Sequence, residues 1–415
     1  MENAIRGFWH HLARHPERSL NWCHLDRLRS NTNLWKHKFP EIQPYYAVKC
    51  NPHPSLINAL TTMGYSFDCA SADEIKQVKT SFDQNTAITG SQVQPSIIFA
   101  NPIKGPYHLL EAKTAGVRLM TADCPEEIDK IKQYYPNAEI LLRIAVDDSQ
   151  SICKFNTKFG LVPEEANLIK FFDKFRKNSD PKVIGVSFHV GSGCLSALSY
   201  KDAIEKSQYV FDFATKYGIN MNILDIGGGF MPHEPLLTNV SQALHNALRF
   251  WKQSRPQTYP KQVIAEPGRF ISHNVFDLYV TVIGKKKDGN TVRYYINDGA
   301  YGSFNCIMFD HVTDFKFDVY RQLPGLDYPQ KIATQNPNGH WDSLSNKGTP
   351  LSPRGTLSST IFGQTCDSID VILKDKQIPE LEVGDHLCFH NMGAYTLAAA
   401  TNFNGFPVAD VYTLP

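Results

Sequence analysis

Between Tyr45 and Phe270 the sequence alternates short apolar runs with longer amphipathic ones, and this alternation limits the possible folds more than any other feature. The short runs are apolar and partly β-branched or aromatic, as buried strands are. There are eight of them: YYAVK (45–49), YSFDC (65–69), IIFAN (97–101), VRLMT (117–121), EILLRIAV (139–146), VIGVSFHV (183–190), NILDI (222–226) and VIAEP (263–267). The stretches between them, such as SADEIKQVKTSF (71–82) and CPEEIDKIKQYY (124–135), carry apolar residues at helical spacing.

Strict alternation of strands and helices predicts an α/β fold with a parallel sheet. Eight such units over about 225 residues fit a (β/α)8 barrel, which typically has about 250 residues. A doubly wound open sheet is the alternative, and the count of eight favours the barrel.

After about residue 275 the pattern changes to alternating polar and apolar residues. The runs VFDLYVTVIG and TVRYYIND flank KKKDGN, whose Asp-Gly pair predicts a hairpin. Further strand-like runs are SSTIFGQ, VGDHLCFHN and the tail FPVADVYTL. We therefore predict a barrel over 45–274 and a mainly antiparallel β domain over 275–415, which the segment 1–44 joins with a strand or helix. The stretch 324–353 is rich in Pro, Asn, Gly and Ser and predicts a long surface loop.

Composition and charge exclude several classes of protein. Lys+Arg number 42 and Asp+Glu 41, a balance that argues against a nucleic-acid-binding protein. The sequence has neither an apolar run of about 18 residues, which a membrane span needs, nor the apolar region of a signal peptide. Its nine cysteines are scattered and form no CxxC pair, so we expect a cytoplasmic protein with reduced thiols and no metal site.

Polar residues cluster where the predicted strands end, and in a parallel barrel these ends form the rim that carries active sites. Six such residues lie within or at the ends of the apolar runs: Lys49, Asp68, Arg143, His189, Asp225 and Glu266. Glycine-rich turns follow two of the runs, GSG (191–193) and GGG (227–229). Each residue alone has an ordinary explanation, such as a surface lysine or a core histidine. Their coincidence at one rim makes shared chemistry the better interpretation.

These residue types fit the chemistry of pyridoxal phosphate (PLP). A lysine desolvated in the barrel mouth can form a Schiff base with the aldehyde of PLP. The glycine turns, with Ser192 and Arg269, can bind its phosphate through backbone N–H groups and charge. A histidine ring can stack on the pyridine ring, and a carboxylate can keep the pyridine nitrogen protonated, which makes the ring an electron sink.

The same residues lie in motifs that resemble the ornithine decarboxylase group of PLP-dependent (group IV) amino acid decarboxylases. The motifs follow the family's order along nearly the whole chain: PYYAVKCN (44–51), FDCAS (67–71), HVGSG (189–193), DIGGGF (225–230), EPGRF (266–270), NDGAYGSFNCIMFDH (297–311), CDSID (366–370) and NMGAYTLAAATNFNGF (391–406). The CDSID and GAYT segments favour the ornithine branch over the diaminopimelate branch. The resemblance implies an alanine-racemase-like barrel with a β domain.

The resemblance also implies the residues that hold the cofactor. Lys49 would be the Schiff-base lysine, His189 would stack on the ring, and Glu266 would pair with the pyridine nitrogen. The phosphate would be bound by Ser192, Gly228, Gly229, Arg269 and Tyr395. Residues supporting the lysine and cofactor would be Asp68, Glu74 and Arg143.

For the substrate, the resemblance implies a head-to-tail homodimer with shared active sites. Cys366 of the partner subunit would protonate the carbon that loses carbon dioxide. Asp367 of the partner subunit and Asp310 would bind the distal ammonium, and Tyr301 and Phe403 would line the pocket. Without the motifs, Cys366 would be interpreted as a small apolar residue and the aspartates as surface carboxylates.

The expected activity is decarboxylation of L-ornithine to putrescine in polyamine biosynthesis, with conversion of L-lysine to cadaverine as a second reaction. One departure bears on specificity, because Phe309 stands where many ornithine decarboxylases have Tyr. Decarboxylation of lysine, arginine or diaminobutyrate is therefore an alternative. A non-catalytic regulator resembling the antizyme inhibitors is another alternative, against which the retention of Lys49, His189 and Glu266 argues.

Overall fold

The computed structural model describes residues 2–89, 95–175, 181–336, 338–343 and 356–413. The chain forms two compact units. One is Arg29–Ile271, and the other combines Met1–Leu28 with Ser272–Pro415.

The described residues of the first unit form a closed barrel of eight parallel strands, as the alternation predicts. The strands, numbered here from first to eighth, are Ile42–Ala47, Ser66–Cys69, Ile97–Phe99, Leu119–Ala122, Glu139–Arg143, Lys182–Ser187, Ile223–Asp225 and Gln262–Ala265. They neighbour one another in chain order, and the eighth pairs with the first to close the barrel. Each of the eight predicted apolar runs overlaps one of these strands. The open-sheet alternative is therefore wrong, and the (β/α)8 barrel is confirmed.

One helix connects each pair of successive barrel strands. These helices are Pro54–Thr62, Ala72–Thr89, Pro106–Thr114, Pro125–Tyr134, Glu165–Phe172, Ala197–Thr215 and Leu236–Ser254. Three begin with proline, whose fixed φ suits the first turn of a helix. The last buries Leu237, Val240, Leu244, Leu248 and Trp251, which recur on one face at helical spacing. The helix Arg269–Ser272 follows the eighth strand, and Leu25–Lys38 precedes the first.

The barrel interior is a packed core. Tyr45, Ile98, Leu141 and Ile264 project from four different strands into one buried cluster. Gly185 on the sixth strand permits close approach of the seventh, because a Cβ there would lie 2.0 Å from the Ile223 carbonyl oxygen. Side chains therefore fill the barrel, and only its rim is open for chemistry.

The second unit is a mainly antiparallel sheet of ten strands among its described residues. The strands are Leu20–Cys23, Phe276–Asp288, Thr291–Ile296, Phe317–Arg321, Gln330–Gln335, Trp341–Ser343, Leu357–Phe362, Val371–Ile378, His386–Phe389 and Asp410–Thr413. Leu20–Cys23 pairs antiparallel with Phe276–Asp288 and parallel with Asp410–Thr413, so segments near both chain ends lie in one sheet. Two α-helices, Glu2–Arg14 and Cys306–Phe309, and the 3-10 turns Ser303–Asn305, Leu397–Ala399 and Phe403–Gly405 complete the described part of the unit.

The predicted hairpin is confirmed, with Asp288 paired to Thr291 across a turn in which Gly289 has φ +57°. The predicted loop over 324–353 is wrong in part, because it contains the strands Gln330–Gln335 and Trp341–Ser343. In Gln330–Gln335 only Ala333 is buried, so the strand lacks the apolar face by which it could be recognised. Residues 344–353 of the predicted loop lie outside the described residues.

Aromatic side chains hold the amino-terminal helix in the second unit. Phe8 is fully buried, with its ring centroid 4.6 Å from that of Trp22 and 4.6 Å from that of Tyr279.

In the part of the chain that the structure describes, no helix combines the length and apolar character needed to cross a membrane.

Candidate active site

The lysine predicted to react lies where the first barrel strand ends. Lys49 is in the single 3-10 turn Val48–Cys50, directly after Ile42–Ala47. Strand register places Asp68 beside Ala47, and the Asp68 carboxylate accepts a hydrogen bond from the Lys49 ammonium. Asp68 is fully buried, whereas the Lys49 side chain is 39% exposed. A buried carboxylate therefore holds the amine at the rim while the amine remains accessible.

The His189 imidazole lies at the same rim as a neutral ring. Its Nδ1 accepts a hydrogen bond of 3.0 Å from the Gly191 N–H, which leaves the proton on Nε2. Burial holds the pKa of His189 well below its usual range, and the charges of Arg143 and Lys49 lower it further. The Phe155 ring meets the imidazole edge to face at 5.0 Å. A neutral, oriented ring of this kind suits stacking on an aromatic cofactor.

The two glycine turns approach each other too closely for side chains. A Cβ on Gly228 would lie 2.8 Å from both the Glu266 carbonyl oxygen and His189 Nε2, and a Cβ on Gly229 would lie 2.5 Å from the Gly191 carbonyl oxygen. Nearby, Arg269 Nη2 donates a 3.2 Å hydrogen bond to Ser192 Oγ. Backbone amides, a hydroxyl and a guanidinium are the groups that bind phosphate.

Carboxyl groups and cations share the remaining part of the rim. Glu266 is buried, and burial together with Asp225 and Asp68 raises its pKa well above the usual range. Burial also raises the pKa of Asp225, to about 7. Lys49 and Arg143 are the cations that oppose these acids, and the Arg143 guanidinium carbon lies 5.2 Å from the centroid of the Phe159 ring. Glu74, a predicted supporting residue, accepts a 2.6 Å hydrogen bond from the Ala70 N–H.

The residues of this rim fit PLP. Glu266 Oε1 is buried and has no hydrogen-bond partner among the described residues, so it can accept a bond from a protonated pyridine nitrogen. The glycine turns, Ser192 and Arg269 match the phosphate, and the accessible amine of Lys49 matches the aldehyde. One face of the barrel thus brings together all the predicted cofactor residues of the first unit.

The second unit carries all four predicted substrate residues. The Tyr301 hydroxyl donates a 2.5 Å hydrogen bond to Asp367 Oδ2, and the Tyr301 ring stacks on Phe403 with centroids 4.2 Å apart. The bond from Tyr301 is the main reason that the pKa of Asp367 is lowered. Three of the predicted residues therefore form one acidic and aromatic cluster.

The other predicted residues of the second unit have distinct surroundings. Cys366 is exposed, and its backbone N–H donates to Asn404 Oδ1 at 3.3 Å. Asp310 is buried at the end of the helix Cys306–Phe309, whereas Phe309 is 65% exposed. Tyr395 is a non-glycine residue with φ +55°.

Sequence reasoning missed a buried carboxylate that connects two of these segments. Asp370 accepts hydrogen bonds from the Ala300 N–H at 2.7 Å and from Thr365 Oγ1 at 2.7 Å. It therefore ties the residue before Tyr301 to the residue before Cys366. Its presence in the CDSID motif was the available signal. The contact of Phe155 with His189 had no signal, because it arises from loop packing.

A cluster in the second unit has the ligand types of a metal site. Atoms of Asp277, Cys388 and His390 that could bind a metal lie within 4.8 Å of one another. Asp277 already forms ion pairs with Arg27 at 3.0 Å and His24 at 3.1 Å. Hydrogen bonds to Asp277 and Asp318 raise the pKa of His390 to about 12. A protonated imidazole has no lone pair for a metal, so the cluster is explained as an ion-pair network.

Comparisons with known proteins agree with this geometry. The family model described as pyridoxal-dependent decarboxylase, pyridoxal binding domain, matches residues 25–273. Ornithine decarboxylase of Schizosaccharomyces pombe is 40% identical over 390 residues, which cover 92% of this chain and 79% of that protein. Antizyme inhibitor 2 of Xenopus laevis is 38% identical over 392 residues, covering 91% of this chain and 76% of that protein.

Solved structures extend the similarity over the whole fold. The arginine decarboxylase of Paramecium bursaria Chlorella virus, in a crystal structure with agmatine bound, matches with a TM-score of 0.80 and 32% identity. The match covers 96% of this chain and 97% of that one.

Proposed function

The chain belongs to the pyridoxal-dependent decarboxylase family, and from this premise we propose that it decarboxylates L-ornithine to putrescine and carbon dioxide, a step of polyamine synthesis. The observation that carries the chemistry is the buried Glu266 carboxyl group, whose unpartnered oxygen lies on the same rim as Lys49 and the glycine turns. The assignment of L-ornithine as the substrate rests on the similarity to ornithine decarboxylases over more than nine-tenths of the chain.

Bound PLP would supply an electron sink for the electron pair left when carbon dioxide departs. The Lys49 amine would hold the cofactor covalently until substrate replaces it, with Asp68 orienting the amine. Glu266 would keep the pyridine nitrogen protonated. The phosphate would be held by Ser192, Gly228, Gly229, Arg269 and Tyr395.

The substrate side chain would be bound by acids of the second unit. Asp310, together with the partner subunit's Asp367, would pair with the distal ammonium, because a desolvated cation needs opposite charge. Tyr301 and Phe403 would line the methylene chain. Cys366 of the partner subunit would donate the proton that replaces the carboxylate.

Because the partner subunit would supply residues to each site, we propose a head-to-tail homodimer. We also propose that the protein works in a reducing compartment such as the cytoplasm. The compartment is supported by the cysteines. All nine lie in the described part of the chain, and none forms a disulfide.

A second candidate function is a non-catalytic regulator, which the similarity to antizyme inhibitor 2 favours. The two functions differ in cofactor binding. A regulator of this kind would show no absorbance change with PLP, whereas the proposed enzyme would bind PLP at Lys49 and acquire a visible absorbance band. Lys49→Ala is the matched control, since it removes the amine and should abolish the band.

The substrate test measures carbon dioxide and product amine with PLP and, separately, L-ornithine, L-lysine, L-arginine and diaminobutyrate. We expect the highest kcat/KM for L-ornithine, with L-lysine second. Preference for another amino acid would keep the chemistry and overturn the substrate assignment. Absence of both turnover and PLP binding would leave the regulator as the function.

A further inference from the structure

The seventh and eighth barrel strands bring two carboxyl groups together at the rim. Asp225 closes the seventh strand, and Glu266 directly follows the eighth. Gly227 connects them, because its N–H donates to Asp225 Oδ1 at 2.9 Å and its carbonyl oxygen accepts from the Glu266 N–H at 2.7 Å. The side chains of Asp225 and Glu266 lie within reach of a hydrogen bond to each other. Two carboxylates cannot form such a bond, so it forms only when one of the two groups carries a proton.

Each of these two carboxyl groups has one oxygen that no other described group satisfies. Asp225 Oδ2 and Glu266 Oε1 are both buried and receive no hydrogen bond from the rest of the described chain. In a region of low dielectric, an unsolvated carboxylate oxygen is costly unless a proton or a cation reaches it. A proton shared between Asp225 and Glu266 satisfies both oxygens at once.

The balance of charge around the pair requires the same proton. Three buried carboxyl groups, Asp68, Asp225 and Glu266, face only two cations, Lys49 and Arg143. Other groups nearby do not correct the deficit: Glu74 faces Lys49 and Asp68, Asp123 faces Arg143, Tyr45 faces Asp225, and His189 is neutral. Glu74 and Asp123 add negative charge rather than cancel it, so one proton on the pair reduces the excess of acids over cations.

We propose that Asp225 is a positioning residue that shares one proton with Glu266 before the cofactor binds, and that this proton moves to the pyridine nitrogen when PLP binds. An O–H bond of the pair breaks and an N–H bond forms from the nitrogen lone pair. The pair changes from charge −1 to −2 while the ring changes from neutral to +1. The site thus protonates the ring without drawing a proton from solvent. The inference rests on the PLP binding of the proposed function.

The test is proton uptake on PLP binding, measured by titration calorimetry in buffers of different ionisation enthalpy. The pH is chosen so that the ring nitrogen of free PLP is unprotonated. Asp225→Asn removes one of the two carboxyl groups that share the proton, so the ring must take its proton from solvent. We expect the variant to take up about one proton more per site than the wild type. Proton changes at Lys49 are common to both proteins and cancel.

Two controls keep the result specific. A PLP analogue with carbon in place of the ring nitrogen cannot accept the proton, so the difference between wild type and variant should vanish with it. Asp225→Glu retains a carboxyl group and should restore uptake toward the wild-type value. Difference infrared spectroscopy of the wild type needs no variant, and we expect the band of a protonated carboxyl to disappear on binding of PLP but not of the analogue.

Equal proton uptake in wild type and Asp225→Asn, or a protonated-carboxyl band that is absent before PLP binds, would overturn the shared proton while leaving the decarboxylase intact. Failure of the wild type to bind PLP at all would overturn both the inference and the proposed function.

Discussion

Glu266 is the residue on which the chemistry of the barrel rim depends most. In Glu266→Gln the amide cannot hold a proton on the pyridine nitrogen, so the ring becomes a weaker electron sink. We expect kcat with L-ornithine to fall about 10²-fold, a usual size for loss of an acid–base group. Steady-state kinetics at saturating PLP checks this, with the partly exposed Glu139→Gln as the control. A kcat within threefold of the wild type would contradict the role.

Tyr301 acts on the substrate through Asp367. Tyr301→Phe removes the 2.5 Å hydrogen bond that helps to orient this carboxylate, but keeps the ring that stacks on Phe403. We expect KM for L-ornithine to rise severalfold, because a carboxylate that has lost an orienting hydrogen bond pairs less well with the distal ammonium. The value of kcat should change little. Tyr107→Phe, at an exposed tyrosine, is the control, and an unchanged KM would argue against the role.

His390 makes the stability of the second unit depend on pH. Its pKa is raised from 6.5 to about 12 by Asp277 first and Asp318 second. The unfolded chain loses this proton near pH 6.5 and the folded chain keeps it, so the stabilisation is complete below 6.5 and declines up to about 12. Urea unfolding at several pH values should show a steeper decline for the wild type than for His390→Gln. Identical slopes would show that His390 does not titrate in this way.

At the scale of elements, the sixth and seventh barrel strands depend on a single glycine. A Cβ at Gly185 would lie 2.0 Å from the Ile223 carbonyl oxygen, so Gly185→Ala must push the strands apart. We expect the free energy of unfolding to fall by about 3 kcal/mol. Gly105→Ala is the matched control, because its nearest neighbour would be the His108 side chain at 3.5 Å. Equal thermal stability of the two variants would contradict this view of the barrel.

The elements also show what sequence alone can predict. Barrel strands are buried on both faces, so runs such as EILLRIAV are apolar throughout and easily recognised. Gln330–Gln335 escaped recognition because it is half-exposed and polar. The ribbon that pairs Ser151–Cys153 with Ser192–Cys194 escaped because its residues, SIC and SGC, are small and partly polar and form no apolar run. Strand ends revealed Lys49 and Glu266, whereas the pairing of Asp225 with Glu266 became visible only from their shared contacts.

At the scale of the whole molecule, a shared active site makes a prediction about mixed dimers. Lys49→Ala and Cys366→Ala should each form little putrescine alone. If the residues act across a head-to-tail dimer, each mixed dimer has one intact site. Co-expression with random pairing should then restore about a quarter of wild-type activity, because half the dimers are mixed and each has one working site of two. Activity no higher than that of the separate variants would place both residues of a site in one subunit.

The position of Leu20–Cys23 in the sheet also affects how the chain folds while the ribosome synthesises it. The strand is synthesised ~250 residues before Phe276–Asp288, with which it pairs, and the barrel segment is translated in between. The nascent amino terminus, with Phe8 and Trp9 still unburied, must remain unpaired throughout that interval. Residues 2–28 are therefore the part of the second unit that waits longest for its partner strand during synthesis. A tag fused before residue 2 would test whether a change in this waiting segment alters the yield of folded protein during expression.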